Sequence, residues 1–363
     1  MTMHPTATVV GWDVGGAHVK AALLRNGRLE AVRQWPCALW QGLHLLDRVI
    51  DDALASWSLS GPGGQASHAV TMTGEMVDLF EHREDGVVRL ARLLGQRLGP
   101  DLRLFSSAGD WLDATVAQRR WPELASANWA ATARLVASRV RQATLVDVGS
   151  TTTDLIPLAG GQVHSVGTSD AQRLQSGELL YQGVVRTPLC ALTQRIVFRG
   201  AQYNVMNEWF ATTADVYRLT GELDPAHDQH PAADGGAKDE AGSCRRISRM
   251  IGHDAHDGTL AEWQAFAQAW RSHQLALVRA ELQRVESRGG KSPGYPTAAT
   301  ALVGAGCGRF LVRALAQALE RPFVTFDELL DVPPALRDWA CVCAPAVAVA
   351  LLRGQACANP SCG

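Results

Sequence analysis

The chain carries almost no excess of charge: 34 basic side chains stand against 36 acidic ones, a formal net charge of −2. So nearly neutral a composition makes no electrostatic case for nucleic acid or for an anionic membrane. No apolar run approaches the roughly 20 residues that span a bilayer. The N-terminus enters a strand directly, without the regions of a signal peptide, so the expected location is the cytoplasm. Closely paired cysteines are missing too. Cys37, Cys190, Cys244 and Cys307 are scattered, Cys341 and Cys343 sit one residue apart, and Cys357 and Cys362 lie in a Pro-containing tail. That spacing suits reduced core thiols rather than a four-thiolate zinc site. What is present is ample apolar matter, 47% of 363 residues with 19% charged, which fits two domains or a duplicated pair of lobes.

The stretch best equipped for chemistry is residues 144–158, TLVDVGSTTTDLIPL. An apolar run ends in Asp147, a turn of Gly149, Ser150, Thr151, Thr152 and Thr153 follows, and Asp154 opens a second apolar run. Such a turn offers an anion backbone N–H groups where glycine removes the Cβ, a row of hydroxyls, and flanking carboxylates able to hold a hydrated divalent cation. A bland hairpin has the same local pattern. Residues 8–24, TVVGWDVGGAHVKAALL, repeat the device with Asp13, Gly15 and Gly16 about 130 residues earlier, which predicts an internal duplication. A third cluster, residues 301–315, ALVGAGCGRFLVRAL, places Gly304, Gly306 and Gly308 between a short strand and a helix, a turn that suits a nucleotide or phosphate.

In order, the pattern predicts a third strand at 28–35, a helix at 43–57, a loop at 60–65 and a buried strand at 68–73. That strand delivers Glu75 to its C-terminal end, where ligands of open α/β sheets bind. A helix at 86–98, a strand at 102–106 and a helix from about Asn128, its expected N-cap, to Arg141 follow. Residues 174–188 are irregular and carry Arg186, suited to clamp a diphosphate or carboxylate and equally to a surface salt bridge. Residues 207–217 read as a helix, and 222–239 as a flexible linker whose histidines are solvated. Helices at 241–251, 260–286 and 344–353 and a strand at 323–326 complete the chain.

The three glycine-bearing segments together resemble the phosphate and adenosine loops of the actin-like ATPase superfamily. The resemblance implies an α/β, duplicated actin-like ATPase (ribonuclease H-like) fold, with two lobes around a central cleft. The lobes are expected at 1–143 and 144–363, with the adenosine-type loop at 301–315. Further blocks are similar to the hydantoinase A/oxoprolinase-related proteins: Met72-Thr73-Gly74-Glu75, Ser126-Ala127-Asn128-Trp129, Asp147 through Asp154, Gly177-Glu178-Leu179, Gly183 through Pro188, and Phe210 through Tyr217. More narrowly, they look like the members that serve tetrahydromethanopterin-linked one-carbon metabolism.

That resemblance implies a transferase joining an aminomethyl-furan methyl diphosphate to the phenol of γ-glutamyltyramine. Asp13 and Asp147 would hold Mg²⁺ or its waters. Gly15, Gly16, Gly149, Ser150, Thr151 and Thr152 would hold the diphosphate, with Arg186 as clamp. Asp154 or Glu75 would be the base. The partners would then be small molecules, a diphosphate and a phenolic amine, with no nucleic acid and no membrane. ATP binding at Gly304, Gly306 and Gly308 stays open, as does a homodimer formed through the apolar C-terminal helices. The rival readings are an ATP-dependent kinase or hydantoinase-like ATPase, and a nucleotide-binding scaffold without small-molecule turnover.

Overall fold

The computed structural model describes residues 8–59, 65–289, 295–297 and 299–358. Residues 60–64 of the loop expected at 60–65, and Cys362, lie outside them. By contacts the chain forms two units, Met1–Arg141 with Leu158–Gln172 and Thr325–Gly363, and Gln142–Pro157 with Arg173–Val324. The lobes expected at 1–143 and 144–363 therefore exchange segments.

In the first unit, β1 (Thr8–Val14), β2 (His18–Arg25) and β3 (Arg28–Pro36) form an antiparallel meander, with Asp13 opposite Lys20 at the end of the first hairpin. β4 (Ser67–Met72) lies parallel to β1 on its other side, followed by β5 (Leu102–Phe105) and β6 (Trp111–Leu112), giving the order β3-β2-β1-β4-β5-β6. β1 and β4 are covered on both faces, which is why they read as unbroken apolar runs, whereas β3 alternates. The helix His44–Ser56 packs Leu46, Val49, Ile50 and Ala53 into the core; Arg83–Leu98 adds Val87, Leu90, Ala91 and Leu94. The latter begins three residues before the predicted start, because His82 caps it by accepting the Asp85 N–H. The helix Ala344–Ala358 packs on β1, β2 and β4, with Ala344 through Ala350 buried. Among the described residues no single helix is long and apolar enough to cross a membrane.

The second unit repeats the scheme. β7 (Gln142–Val148) neighbours β8 (Thr153–Ala159), to which β9 (Gln162–Val163) and β10 (Leu179–Leu180) add antiparallel. A separate hairpin, β11 (Arg195–Phe198) and β12 (Ala201–Asn204), stacks Phe198 on Trp263 with ring centroids 4.7 Å apart. β13 (Leu302–Ala305) runs parallel to β7 on the far side from β8, and β14 (Phe323–Thr325) closes the order β10-β8-β7-β13-β14. Each unit thus centres on a strand flanked by its own hairpin partner and by a parallel strand. This is the duplication that the two acidic turns predicted.

Several local expectations fail for identifiable reasons. The helix Asn128–Ala137 stops short of Arg141, and Ala127 rather than Asn128 occupies its cap; Asn128 Oδ1 accepts from the adjacent Trp129 N–H. The helix expected over 207–217 starts only at Thr213, because Thr212 and Asp215 form a reciprocal capping box that fixes the start. Residues 222–239 are no linker between units, since both ends lie in the second one. Asp228 pairs with Arg218 at 2.6 Å, Asp234 with Arg246 at 3.0 Å, and His227 is buried. The counter-charges come from helices elsewhere in the chain, so local composition could not announce them. The helix Arg337–Val342 was not anticipated.

Candidate active site

In the second unit three segments converge on the end of β7. The Gly149 N–H donates to Thr152 O at 2.8 Å and closes the acidic turn, with the Ser150 and Thr151 hydroxyls 3.4 Å apart on it. Residues 183–186 dock against this turn through Val184 N–H to Gly149 O at 3.0 Å and through Val185 and Arg186 N–H to Ser150 O at 3.1 and 2.9 Å. A Cβ on Gly183 would lie 2.4 Å from the Ser150 carbonyl carbon and the Thr151 nitrogen, so no larger residue fits. From β13, Gly308 N–H donates to Val148 O at 2.8 Å. Gly306 has φ +80°, and a Cβ there would sit 2.6 Å from Asp147 Oδ1. Gly304 points elsewhere. Its Cβ position faces the Phe323 ring, so it serves packing and not the turn.

Arg186 donates from Nη1 to Thr151 Oγ1 at 3.3 Å. Surrounding protein pulls its guanidinium pKa down, partly offset by Tyr181, yet arginine stays cationic. Behind the loop, Thr213 Oγ1 and Gln274 Nε2 both donate to Gly183 O at 3.0 Å, and the Tyr217 hydroxyl donates to Gln274 Oε1 at 2.6 Å. Of the residues singled out in the sequence, Asp147, Gly149, Ser150, Thr151, Thr152, Arg186, Gly306 and Gly308 are gathered here. Asp154 has other work. On β8 it accepts from Arg173 Nη1 at 2.8 Å, while Arg173 Nη2 donates to Glu178 O, a buried tie between β8 and the following segment.

In the first unit, Asp13, next to last in β1, is almost fully buried, its Oδ2 3.5 Å from Lys20 Nζ. Gly15 N–H donates to His18 O at 3.0 Å and Leu39 N–H to Gly16 O, forming the expected turn. Thr73 N–H to Val14 O ties the end of β4 to it. Immediately beyond, Glu75 lies in the single 3-10 turn Gly74–Met76. Its Oε1 accepts from Arg83 Nη2 at 3.1 Å and contacts Ser126 Oγ at 2.8 Å. Burial raises the Glu75 pKa, against the opposing pull of Ser126 and Arg83, and its Oε2 is buried with no hydrogen-bond partner among the described residues. Ser126 Oγ is also 2.8 Å from Asp170 Oδ2, and Arg83 Nη2 is 3.3 Å from that same oxygen. The sequence offered no sign of Arg83 or Asp170 as partners of Glu75; Ser126 stood only within a family-like block. The signal that was available is the φ of +50° at Ser126, and that appears only in three dimensions.

The oxygen-only donors at the second unit's turn suit a hard divalent cation that keeps most of its waters. Among the described residues, neither Asp13 nor Asp147 belongs to a cluster of three close His, Cys, Asp or Glu ligands. A cation there would therefore depend on substrate oxygens and water.

The family model for hydantoinase/oxoprolinase matches residues 67–353, most of the chain. The chain belongs to the hydantoinase/oxoprolinase family. Within this family setting, the chain is 27% identical over 281 residues to the (4-{4-[2-(gamma-L-glutamylamino)ethyl]phenoxymethyl}furan-2-yl)methanamine synthase of Methanocaldococcus jannaschii, covering 77% of this chain and 82% of that one. It is 34% identical over 146 residues to the protein of the same name from Methanococcus vannielii, covering 40% of this chain and 65% of that one. Among solved structures, nucleotide-free acetone carboxylase superposes with a TM-score of 0.55 at 11% identity, covering 95% of this chain and 70% of that one. The fold is the α/β, duplicated actin-like ATPase fold.

Proposed function

We propose that this protein is a transferase that joins an aminomethyl-furan methyl diphosphate to the phenol of a γ-glutamyltyramine, releasing diphosphate and forming an aryl ether. The observation that carries this reading is the cradle around Ser150, Thr151 and Thr152, which the 183–186 loop braces and Arg186 overlooks. Hydroxyls, turn N–H groups and a guanidinium are the donors that a departing diphosphate needs. The names of the two related synthases supply the substrate classes.

In the proposed reaction the bond between the furan methylene carbon and the diphosphate oxygen breaks, and its electron pair leaves with the diphosphate. Arg186 and the turn stabilise that charge. The phenol oxygen bonds to the methylene carbon and gives up its proton, a proton we assign to Glu75 of the first unit, whose buried Oε2 has no hydrogen-bond partner among the described residues. A carboxyl with a raised pKa is a closer match to a phenol proton than an ordinary one. Asp147, and Asp13 in its own unit, are the groups that would hold Mg²⁺; when bound, the ion would neutralise phosphate charge.

A second reading has its own observation. β13, the turn at Gly306 and Gly308, and the helix Arg309–Ala318 form a strand-to-helix turn of the kind that receives nucleotides, which favours an ATP-dependent enzyme. One experiment separates the readings. Purified protein is incubated with Mg²⁺ and either ATP or the furan diphosphate with γ-glutamyltyramine, and ADP, phosphate, diphosphate and ether are followed by mass. Ether with stoichiometric diphosphate is the expected result; ADP without ether overturns the first reading, and bound nucleotide without any turnover favours a scaffold.

A further inference from the structure

Glu75, Arg83, Ser126 and Asp170 all belong to the first unit, and their contacts contain a proton that the covalent structure does not specify. Ser126 Oγ is 2.8 Å from Glu75 Oε1 and 2.8 Å from Asp170 Oδ2. A hydroxyl has one hydrogen to give, so two short contacts to two carboxyl oxygens require a second proton. Arg83 Nη2, at 3.1 Å from Glu75, 2.8 Å from Ser126 and 3.3 Å from Asp170, neutralises one negative charge of the group and not two. The set is therefore balanced when the two carboxyls share one proton. It is also graded towards solvent: side-chain exposure is 0% at Glu75 and 16% at Asp170, and Ser126 between them is a buried residue. Ser126 holds its bridging position from a left-handed backbone conformation, φ +50°, that serine adopts at a cost.

We propose that Ser126 and Asp170 form the exit by which a proton accepted at Glu75 leaves the buried site. The proposal rests on the reading of Glu75 as the acceptor of the phenol proton. The transfer balances without any co-reactant. The phenol proton arrives on Glu75 Oε2 as the proton on Oε1 moves to Ser126 Oγ and the Ser126 proton to Asp170 Oδ2; Asp170 releases it to water, and rotation of the Glu75 carboxyl then brings its proton to the Ser126 side and frees an oxygen for the next phenol. Ser126 and Asp170 act through Glu75 and are positioning residues; Arg83 holds the three oxygens together.

The test uses Ser126→Gly, which removes the hydroxyl while suiting the left-handed backbone, and Asp170→Asn. With the exit blocked, the first turnover keeps its rate and the next waits for Glu75 to lose its proton. Each variant is expected to show a burst of one ether per protein followed by steady turnover at least tenfold below wild type, with KM for the furan diphosphate within twofold. Formate or imidazole should restore steady turnover in Asp170→Asn. Loss of single-turnover and steady rates in equal measure, or no loss of either, overturns the relay. Infrared difference spectra provide a readout that needs no substrate. The carbonyl stretch of a protonated carboxyl, absent in Glu75→Gln, should shift in Ser126→Gly and disappear in Asp170→Asn, where one carboxyl faces Arg83; if Glu75→Gln removes no such band, the shared proton does not exist. Wild-type protein that makes no ether overturns the underlying reading, while the infrared result judges the shared proton separately.

Discussion

Glu75 and Asp154 are both carboxylates with less than a tenth of their surface exposed, and their neighbours divide their labour. Asp154 is committed to Arg173, itself almost wholly buried, so Asp154→Ala removes a carboxylate partner from a guanidinium in the interior. Loss of about 3–5 kcal/mol of stability is expected in urea unfolding. Glu75 instead keeps one buried oxygen without a hydrogen-bond partner among the described residues, and under the proposed function Glu75→Gln should lower turnover about 10²–10⁴-fold with little change in stability. Rate and unfolding measurements on both variants check the division; if the amides at 75 and 154 together leave turnover within a few fold, no carboxylate base operates. His68 gives a prediction of a different kind. Its Nδ1 accepts from Trp12 Nε1 at 3.2 Å, and burial holds its pKa down to about 4, with Asp101 opposing weakly. The unfolded chain then binds a proton that the folded one refuses, so stability should fall as pH drops from about 6.5 to about 4, by up to about 3 kcal/mol. His68→Asn, which keeps an acceptor for Trp12, should flatten that acid limb in unfolding curves recorded across this range. Both carboxylates were legible in the sequence as candidates. The partners of each were not, because Arg173 lies nineteen residues from Asp154 and Ser126 fifty-one from Glu75.

At the scale of elements, the loop 183–186 shows how the acidic turn keeps its shape. Three backbone hydrogen bonds hold it on Gly149 and Ser150, and Thr213 and Gln274 anchor Gly183 from behind. Gly183→Ala would place a methyl group on the backbone of residues 150 and 151 and should prise the loop away. The expected outcome is a rise in KM for the proposed furan diphosphate substrate of tenfold or more with the unit still folded, read by steady-state kinetics beside circular dichroism. Tyr217→Phe removes the donor to Gln274 and should cost about 1–3 kcal/mol without touching the turn directly. The strands and turns of this region were readable because their signals are local: an apolar run, an aspartate, glycine and hydroxyls. The brace was not, since the long helix Leu260–Ser287 supplies Gln274 from 91 residues beyond Gly183. The same limit explains residues 222–239. Their polar composition is genuine, but Arg218 and Arg246 convert a stretch with no apolar period into a fixed loop.

For the whole molecule, repetition was the legible part. Two acidic hairpins, each with a parallel strand on its far side, follow from two similar stretches of sequence. Allegiance of segments was not legible, because an alanine-rich helix such as Ala344–Ala358 packs equally well on paper against either sheet. Its placement carries a prediction. Ending the chain at Cys343 uncovers β1, β2 and β4 of the first unit, and such a protein should aggregate or bind a hydrophobic dye while the full-length chain does neither. The same placement bears on birth order. More than 300 residues separate the opening hairpin from the helix that roofs it, so the nascent sheet must wait on the order of 20–60 s for its cover at ordinary rates of translation. Through that interval it is a client for whatever chaperone attends the exit tunnel.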